Sequence, residues 1–180
     1  MLGASTRPLW LRQLLQSTTI PALTLTEPWG TAMALGAKHF ETRSWQRSYR
    51  GLLAIHTAKG FPEWAEELCD EEPFQQILQG GGYVRSEQNQ HNRWCLPLGQ
   101  VIAIGMLEEV ERITETYPAV SDQERALGNY APGRYVWRFS GIYRLRMPVA
   151  TRGSLGLWSW DPPDSFWQEI QAACKQEETK

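Results

Sequence analysis

The segment from Glu27 to Lys59, EPWGTAMALGAKHFETRSWQRSYRGLLAIHTAK, contains the pattern from which the rest of the chain can be interpreted. Pro28 stands where a helix begins, apolar residues recur behind it at helical spacing, and Gly36 is the residue type that ends such a helix. The residues that follow, up to Trp45, alternate as in an extended segment. After a polar turn, an apolar run that ends at His56 has the length of a strand. We therefore predict a short helix, a strand, a turn and a buried strand.

The extended part of this segment carries charged and aromatic side chains on one face, because alternate residues of a strand point the same way. These residues are His39, Glu41, Arg43 and Trp45. Taken singly, each has a simple structural explanation: an Arg and a Glu two residues apart usually form a solvated face, and a Trp is usually core. The joint arrangement is more specific than any one of them.

The order PW, then GxKxxExRxW, then RG before an apolar strand with a His resembles the ASCH family, a branch of the PUA-like superfamily. The matching residues are Pro28, Trp29, Gly36, Lys38, Glu41, Arg43, Trp45, Arg50 and Gly51. Later segments, among them LPLG at 96–99 and the Arg-Gly and Gly-Leu-Trp sequences within 148–158, extend the resemblance to residues 23–160. The resemblance implies an α+β fold, a PUA-like mixed and partly open β-barrel with flanking helices and a cleft at its mouth.

The resemblance also implies that the GxKxxExR segment lines a site for RNA, single-stranded nucleic acid or a modified nucleotide. In such a site an aromatic ring stacks on a base, cations approach phosphate, and Glu41 accepts hydrogen bonds from a base edge. An equal alternative is that Glu41 and Arg43 pair with other cleft residues and only hold its shape. The predicted nucleic-acid-binding residues are Trp29, Lys38, Glu41, Arg43, Trp45 and Arg50.

Two functions from other classes stay open. Some ASCH-type proteins resemble amidohydrolases that remove an acyl group from a modified cytidine nucleoside with a Lys, a Thr and a Glu. Lys38 matches and would be catalytic with Glu41, but Glu41 occupies the position of the expected Thr, although Thr42 and Thr31 are near in sequence. No catalytic residue is predicted outside this alternative. The other function is a protein-interaction domain of a regulatory complex, which would use an acidic helix or the Trp-bearing C-terminus.

The composition is that of ordinary globular material. The chain has 180 residues, of which 42% are hydrophobic and 21% charged, and its nine Trp indicate stacking surfaces or an aromatic core. A net charge of -2 argues against a general polyanion binder. However, ten of the 18 Lys and Arg residues lie within 38–59 or 134–152, and we expect these two segments to form one basic face.

The chain is predicted to comprise an N-terminal helical arm (1–20), an ASCH/PUA-like domain (21–162) and a C-terminal helix and tail (163–180). The polar, Gly-rich stretch 80–94 is predicted to be a long flexible loop with the character of a lid. Within it, His91 and Arg93 are secondary candidates for contact with phosphate.

Elsewhere the pattern predicts a helix over 62–70 with Trp64 in its apolar stripe, and a capped connective helix from Ser121 to Gly128. Two further strands, at 134–139 and 142–147, are expected to place aromatic residues inside and Arg outside. Three Cys without CxxC spacing favour a reducing compartment, and we expect a cytoplasmic protein with no membrane span, metal or cofactor. The oligomeric state is not predicted.

Overall fold

Six strands form a single mixed sheet in the computed structural model, which describes residues 9–86 and 93–176. The order across the sheet is β2-β5-β4-β3-β1-β6, in which β1 and β3 are parallel and every other neighbouring pair is antiparallel. The strands are β1 (Ile20–Leu25), β2 (Phe40–Arg43), β3 (Gly51–Thr57), β4 (Gln100–Arg112), β5 (Tyr135–Ala150) and β6 (Leu157–Trp160).

Helices cover both faces of this sheet. They are a 3₁₀ helix (Leu9–Gln16), α1 (Trp29–Ala34), α2 (Glu63–Leu68), α3 (Phe74–Gly80), α4 (Asp122–Ala126) and α5 (Asp164–Lys175). The 3₁₀ helix packs with α5 against one face, where Leu11, Leu14, Phe166 and Ile170 are buried. On the other face, Met33 of α1 packs with strand residues such as Trp137. Because central strands are buried on both sides, they read as continuous apolar runs.

The predicted α+β class with flanking helices is confirmed. The sheet is open, because its edge strands β2 and β6 are not paired with each other in the part of the chain that the structure describes. It therefore does not close into a barrel. The predicted helix between Pro28 and Gly36 is present as α1, and Gly36 has the expected positive φ of 72°.

The prediction of two separate strands after residue 134 is wrong, since β5 runs unbroken for 16 residues. Gly141, with a φ of 63°, lies inside it, and the register with β4 shifts at three places. The shift between Gly105 and Met106 lies opposite Gly141, so the glycine permits a bulge that joins the two expected strands into one. The expected sidedness is confirmed: Trp137, Phe139 and Tyr143 are buried, whereas the Arg residues at 138, 144 and 146 are exposed.

The ends of the stretch predicted as a loop are ordered by contacts with α2. Arg85 and Trp94 form an isolated antiparallel bridge. Arg93, a secondary candidate for phosphate contact, instead pairs with Glu66, with 2.7 Å between Nε and Oε2. His91 lies outside the described residues, and the function of this stretch as a lid stays a prediction.

Two further features concern the surface. Trp64, predicted to lie in an apolar stripe, is 54% exposed on α2. None of the helices within residues 9–86 and 93–176 has the length and apolar character needed to span a membrane.

The predicted boundaries of the three parts of the chain stay predictions.

Candidate functional site

A concave site, here called the cleft, lies between α1, β2 and the segment that follows α4. It encloses about 360 Å³. Three of the six predicted site residues, Trp29, Lys38 and Glu41, line it together. Its remaining lining residues are Thr42, Leu68, Phe74, Ala126, Leu127, Gly128, Asn129 and Arg134. The GxKxxExR segment reaches the cleft because Gly36 ends α1 and turns the chain directly into β2.

Lys38 was predicted to line the cleft, but its full burial, at 0% exposure, was not predicted. Its ammonium donates to the carbonyl oxygen of Phe40 and, at 3.0 Å, to that of Leu127. Burial lowers the pKa of Lys38, although the negative charges of Glu41 and Glu124 oppose this shift. Lys38 therefore joins β2 to the end of α4, and this role differs from the phosphate contact that the resemblance suggested.

Glu41 lies between two cations. One carboxylate oxygen is 3.1 Å from Nε of Arg43, and the other is 3.8 Å from Nζ of Lys38. Arg43 also donates from Nη2 to the carbonyl oxygen of Thr24 at 2.7 Å. Both residues thus pair with a cleft residue, Glu41 with Lys38 and Arg43 with Glu41, as the structural alternative expects. That they also contact a ligand stays a prediction.

A second carboxylate that sequence reasoning missed lies beside Lys38. Glu124 is buried, and its Oε1 accepts from the backbone N–H of His39 and lies 3.3 Å from Nδ1 of the same residue. Burial opposes the ionisation of Glu124, but these contacts and the charge of Lys38 lower its pKa below the usual value. The hydrogen bond with Glu124 in turn raises the pKa of His39. The Ser121 capping box predicted α4 correctly but gave no sign that Glu124 points inward.

The aromatic wall of the cleft is a half-buried Trp29. Its ring packs edge-on against Phe74, with ring centroids 5.6 Å apart, and meets the exposed Trp64 at 6.0 Å. Beneath it, the buried Glu27 accepts from the backbone N–H and the hydroxyl of Thr31, at 2.9 Å and 2.7 Å. These contacts hold the start of α1 and so fix the position of Trp29.

Arg43, Trp45 and Arg50, the other three predicted residues, are not among the lining residues of the cleft. Trp45 packs edge-on against Trp137, with centroids 4.7 Å apart, and Arg47 lies over its ring. Arg50 donates to three backbone carbonyl oxygens, those of Arg47, Tyr49 and Val110, and so braces the turn before β3. The contacts of Trp45 and Arg50 therefore stabilise the fold.

One solved structure with a similar fold is described as ASCH from Zymomonas mobilis. It shares 11% sequence identity with this chain and has a TM-score of 0.44, over 84% of this chain and 93% of that chain. No protein-family model matches the chain, and no curated protein matches it either.

The two basic segments meet at two places. Lys38 and Arg134 share the cleft, whereas Lys59 and Arg152 share a separate cavity. That all these cations form one face stays a prediction. Within the described ranges, His, Cys, Asp and Glu side chains form no group of three or more that could hold a metal ion.

Proposed function

We propose that the chain is an ASCH-type module that binds single-stranded nucleic acid by accepting one unstacked base in the cleft. The observation that most supports this proposal is that the Trp29 ring lines the cleft together with Glu41, Thr42 and Asn129. An aromatic face stacks on any base, and polar groups beside it bind the base edge. The volume of the cleft, about 360 Å³, is in the range that small ligands occupy.

Glu41 is suited to the base edge because two neighbouring cations hold its carboxylate in one orientation. Arg43 and Lys38 occupy one direction on each carboxylate oxygen. A carboxylate has about four lone-pair directions, so Glu41 retains the capacity to accept from an amino group of a base. Two fixed cations behind it reduce the entropy that is lost when the base binds.

Arg134 is the cation best placed for phosphate in this cleft. Its guanidinium donates to the carbonyl oxygens of Thr42, at 2.9 Å from Nη2, and of Asn129, at 3.2 Å from Nε. These two contacts hold it at the wall of the cleft while the side chain stays partly exposed. Lys38, in contrast, acts on the ligand only through the residues that it positions.

The test is binding of a fluorescently labelled single-stranded RNA of mixed sequence, with single-stranded DNA and duplex RNA as comparisons. Trp29→Leu removes the stacking ring and should weaken binding by roughly 1–3 kcal/mol, the usual contribution of one stacked base. Trp29→Phe keeps an aromatic face and should retain most of the affinity. Glu41→Gln keeps the shape of the side chain and should alter base preference more than affinity.

The control is Trp167→Leu, because Trp167 lies on α5 against Phe166, on the opposite face of the sheet from α1. Thermal unfolding of all variants shows whether a loss of binding reflects a loss of fold. The proposal would be contradicted if the Trp29→Leu variant is folded and binds single strands with the same affinity as the wild type.

A second function, hydrolysis of an acylated cytidine, is favoured by one observation. A buried lysine with a lowered pKa stands with Glu41 and the Thr42 hydroxyl in the same cleft, and groups of this kind carry out nucleophilic and proton-transfer chemistry. The Thr42 Oγ1 accepts from the backbone N–H of Asn129 at 3.3 Å. If the chain has this activity, Thr42→Val and Lys38→Arg should each abolish release of acetate from N4-acetylcytidine. Turnover that persists in Thr42→Val would exclude Thr42 as the nucleophile.

A further inference from the structure

A second cavity, here called the loop cavity, lies at the carboxyl ends of β1 and β3 and encloses about 780 Å³. Because these strands are parallel, their register partners Thr24 and His56 reach the same edge of the sheet. None of the six predicted nucleic-acid-binding residues lines it. The lining residues are Thr24, His56, Ala58, Lys59, Leu98, Gly99, Ala150, Thr151, Arg152, Gly153, Ser154 and Leu155.

The fixed charge of the loop cavity is entirely positive. Lys59 and Arg152 are exposed and come from different loops, and no carboxylate is among the described lining residues. Within residues 9–86 and 93–176, neither cation forms an ion pair or a hydrogen bond with protein. Cations without a protein partner in a concave site attract anions, and two of them suit a dianion.

The rest of the wall is largely apolar. Leu98, Ala58 and Ala150 line it, and Leu155 is 95% exposed at the edge of the cavity. A cavity of this volume with apolar walls and a few polar groups is typical of small-molecule sites. The ligand that fits both features has a dianionic group and an apolar or aromatic body.

The loop that carries Arg152 is held in place by hydrogen bonds. The Thr24 hydroxyl donates to the carbonyl oxygen of Ser154 at 3.0 Å and accepts from Nε1 of Trp158 at 3.1 Å. Nε2 of the buried His56 is 3.2 Å from the carbonyl oxygen of Thr151. Little conformational freedom therefore has to be lost when a ligand binds.

Gly153 fits this arrangement because it has no side chain. A Cβ added at this position would lie 2.3 Å from Cε1 of His56 and 2.9 Å from the hydroxyl oxygen of Thr24. Only glycine allows the loop to approach the strand ends this closely. The close approach holds the backbone between Arg152 and Leu155, two of the residues that would contact a ligand.

We propose that the loop cavity binds the phosphomonoester group of a small molecule with an apolar or aromatic body. Lys59 and Arg152 contact the phosphate, and the apolar wall covers the body. This site is separate from the cleft and from the base-binding function proposed for it. A free mononucleotide and the 5′-phosphate at the end of a strand share this chemistry.

The experiment is calorimetric titration of the full chain with AMP, with adenosine as the uncharged probe. AMP should bind, and adenosine should bind at least about tenfold more weakly, because it cannot form the charged hydrogen bonds. Lys59→Gln and Arg152→Gln should each weaken AMP binding by about tenfold. Arg112→Gln, which removes an exposed cation at the end of β4, is the matched control and should leave AMP binding unchanged. Thermal unfolding confirms that each variant is folded.

A 5′-phosphorylated dinucleotide identifies the source of the phosphate. Binding as tight as that of AMP supports a strand end as ligand, and selective binding of AMP supports a free mononucleotide. The proposal is overturned by absence of AMP binding up to about 10 mM, or by equal affinity for adenosine. It is also overturned if AMP binds the two cavity variants as it binds the wild type, because the phosphate then lies elsewhere.

Discussion

The cleft and the loop cavity both contain one Lys and one Arg, but the two sites use these cations in different ways. In the cleft, Lys38 is buried and bonded to two backbone carbonyls, and Arg134 is bonded to two more. In the loop cavity, Lys59 and Arg152 are exposed, and within the described ranges they have no such partners. A buried cation that is bonded to protein, such as Lys38, fixes the shape of a site, whereas an exposed and unpaired one supplies attraction for an anion. Arg134 is bonded to protein but partly exposed, so it can still contact a phosphate. The number of cations in a basic segment therefore says little about its affinity for phosphate.

The two lysines give the sharpest test of this comparison, because one substitution can be made in both sites. Lys38→Met should destabilise the chain by roughly 3–5 kcal/mol, since Glu41 loses a buried partner and the carbonyl oxygen of Leu127 loses its donor. Lys59→Met should change the free energy of unfolding by less than about 0.5 kcal/mol, as surface substitutions usually do. Urea unfolding near neutral pH measures both.

An unchanged or increased stability of Lys38→Met would contradict this expectation. It would mean that the cost of burying the ammonium equals or exceeds the gain from its hydrogen bonds, as happens for some buried ion pairs. In that case Lys38 would be retained for a reason other than stability, and the hydrolytic alternative would gain support.

The local part of the fold could be predicted because its signals are local. Gly36 ends α1, the apolar alternation gives the strands, and Ser121 caps α4 through its contact with the Glu124 backbone N–H. The family resemblance predicted Trp29, Lys38 and Glu41 for one site, and these three residues line the cleft together. That they bind nucleic acid stays a prediction. These predictions rest on residues a few positions apart, because the local backbone geometry decides where a helix or a strand begins and ends.

The roles of individual residues could not be predicted, because they depend on distant contacts. The ammonium of Lys38 donates to the carbonyl oxygen of Leu127, 89 positions away, and the backbone N–H of His39 donates to Glu124, 85 positions away. The segment that contains both partners had been interpreted as connective. Likewise, Trp64 fits a helical stripe, but its only ring contact in the described part of the chain is with Trp29, and it is 54% exposed.

The two sites should also respond to pH in opposite directions. Below the cleft, burial raises the pKa of Glu27 to about 7 from an ordinary 4.5, despite its hydrogen bonds with Thr31. The protonated carboxyl makes its full contribution to the free energy of unfolding below pH 4.5. This contribution, on the order of 3 kcal/mol, is lost as the pH rises through about 7. In the loop cavity, burial lowers the pKa of His56 below 6.5, so stability is lost as the pH falls below that value.

Chemical unfolding at a series of pH values separates the two effects. Glu27→Gln keeps a hydrogen-bonding side chain without the charge and should flatten the decline in stability between pH 5 and 8. Glu67→Gln, at an exposed position of α2, is its control and should not alter the profile. A wild-type profile that rises from pH 5 to 8 and is unaffected by Glu27→Gln would show that Glu27 is ionised in the folded chain.

The smallest expected effect is on salt dependence, and it tests whether the sites are separate. If a strand contacts Arg134, Arg134→Gln should lower the slope of log binding constant against log salt for single-stranded RNA by about one ion. Arg152→Gln should lower the salt dependence of AMP binding and leave the RNA slope as it is, because its cation lies in the loop cavity. Each variant would then affect one ligand, which is the behaviour of two independent sites. If both variants lower the RNA slope, one strand passes over both cavities, and the loop cavity is the place where its terminal phosphate binds.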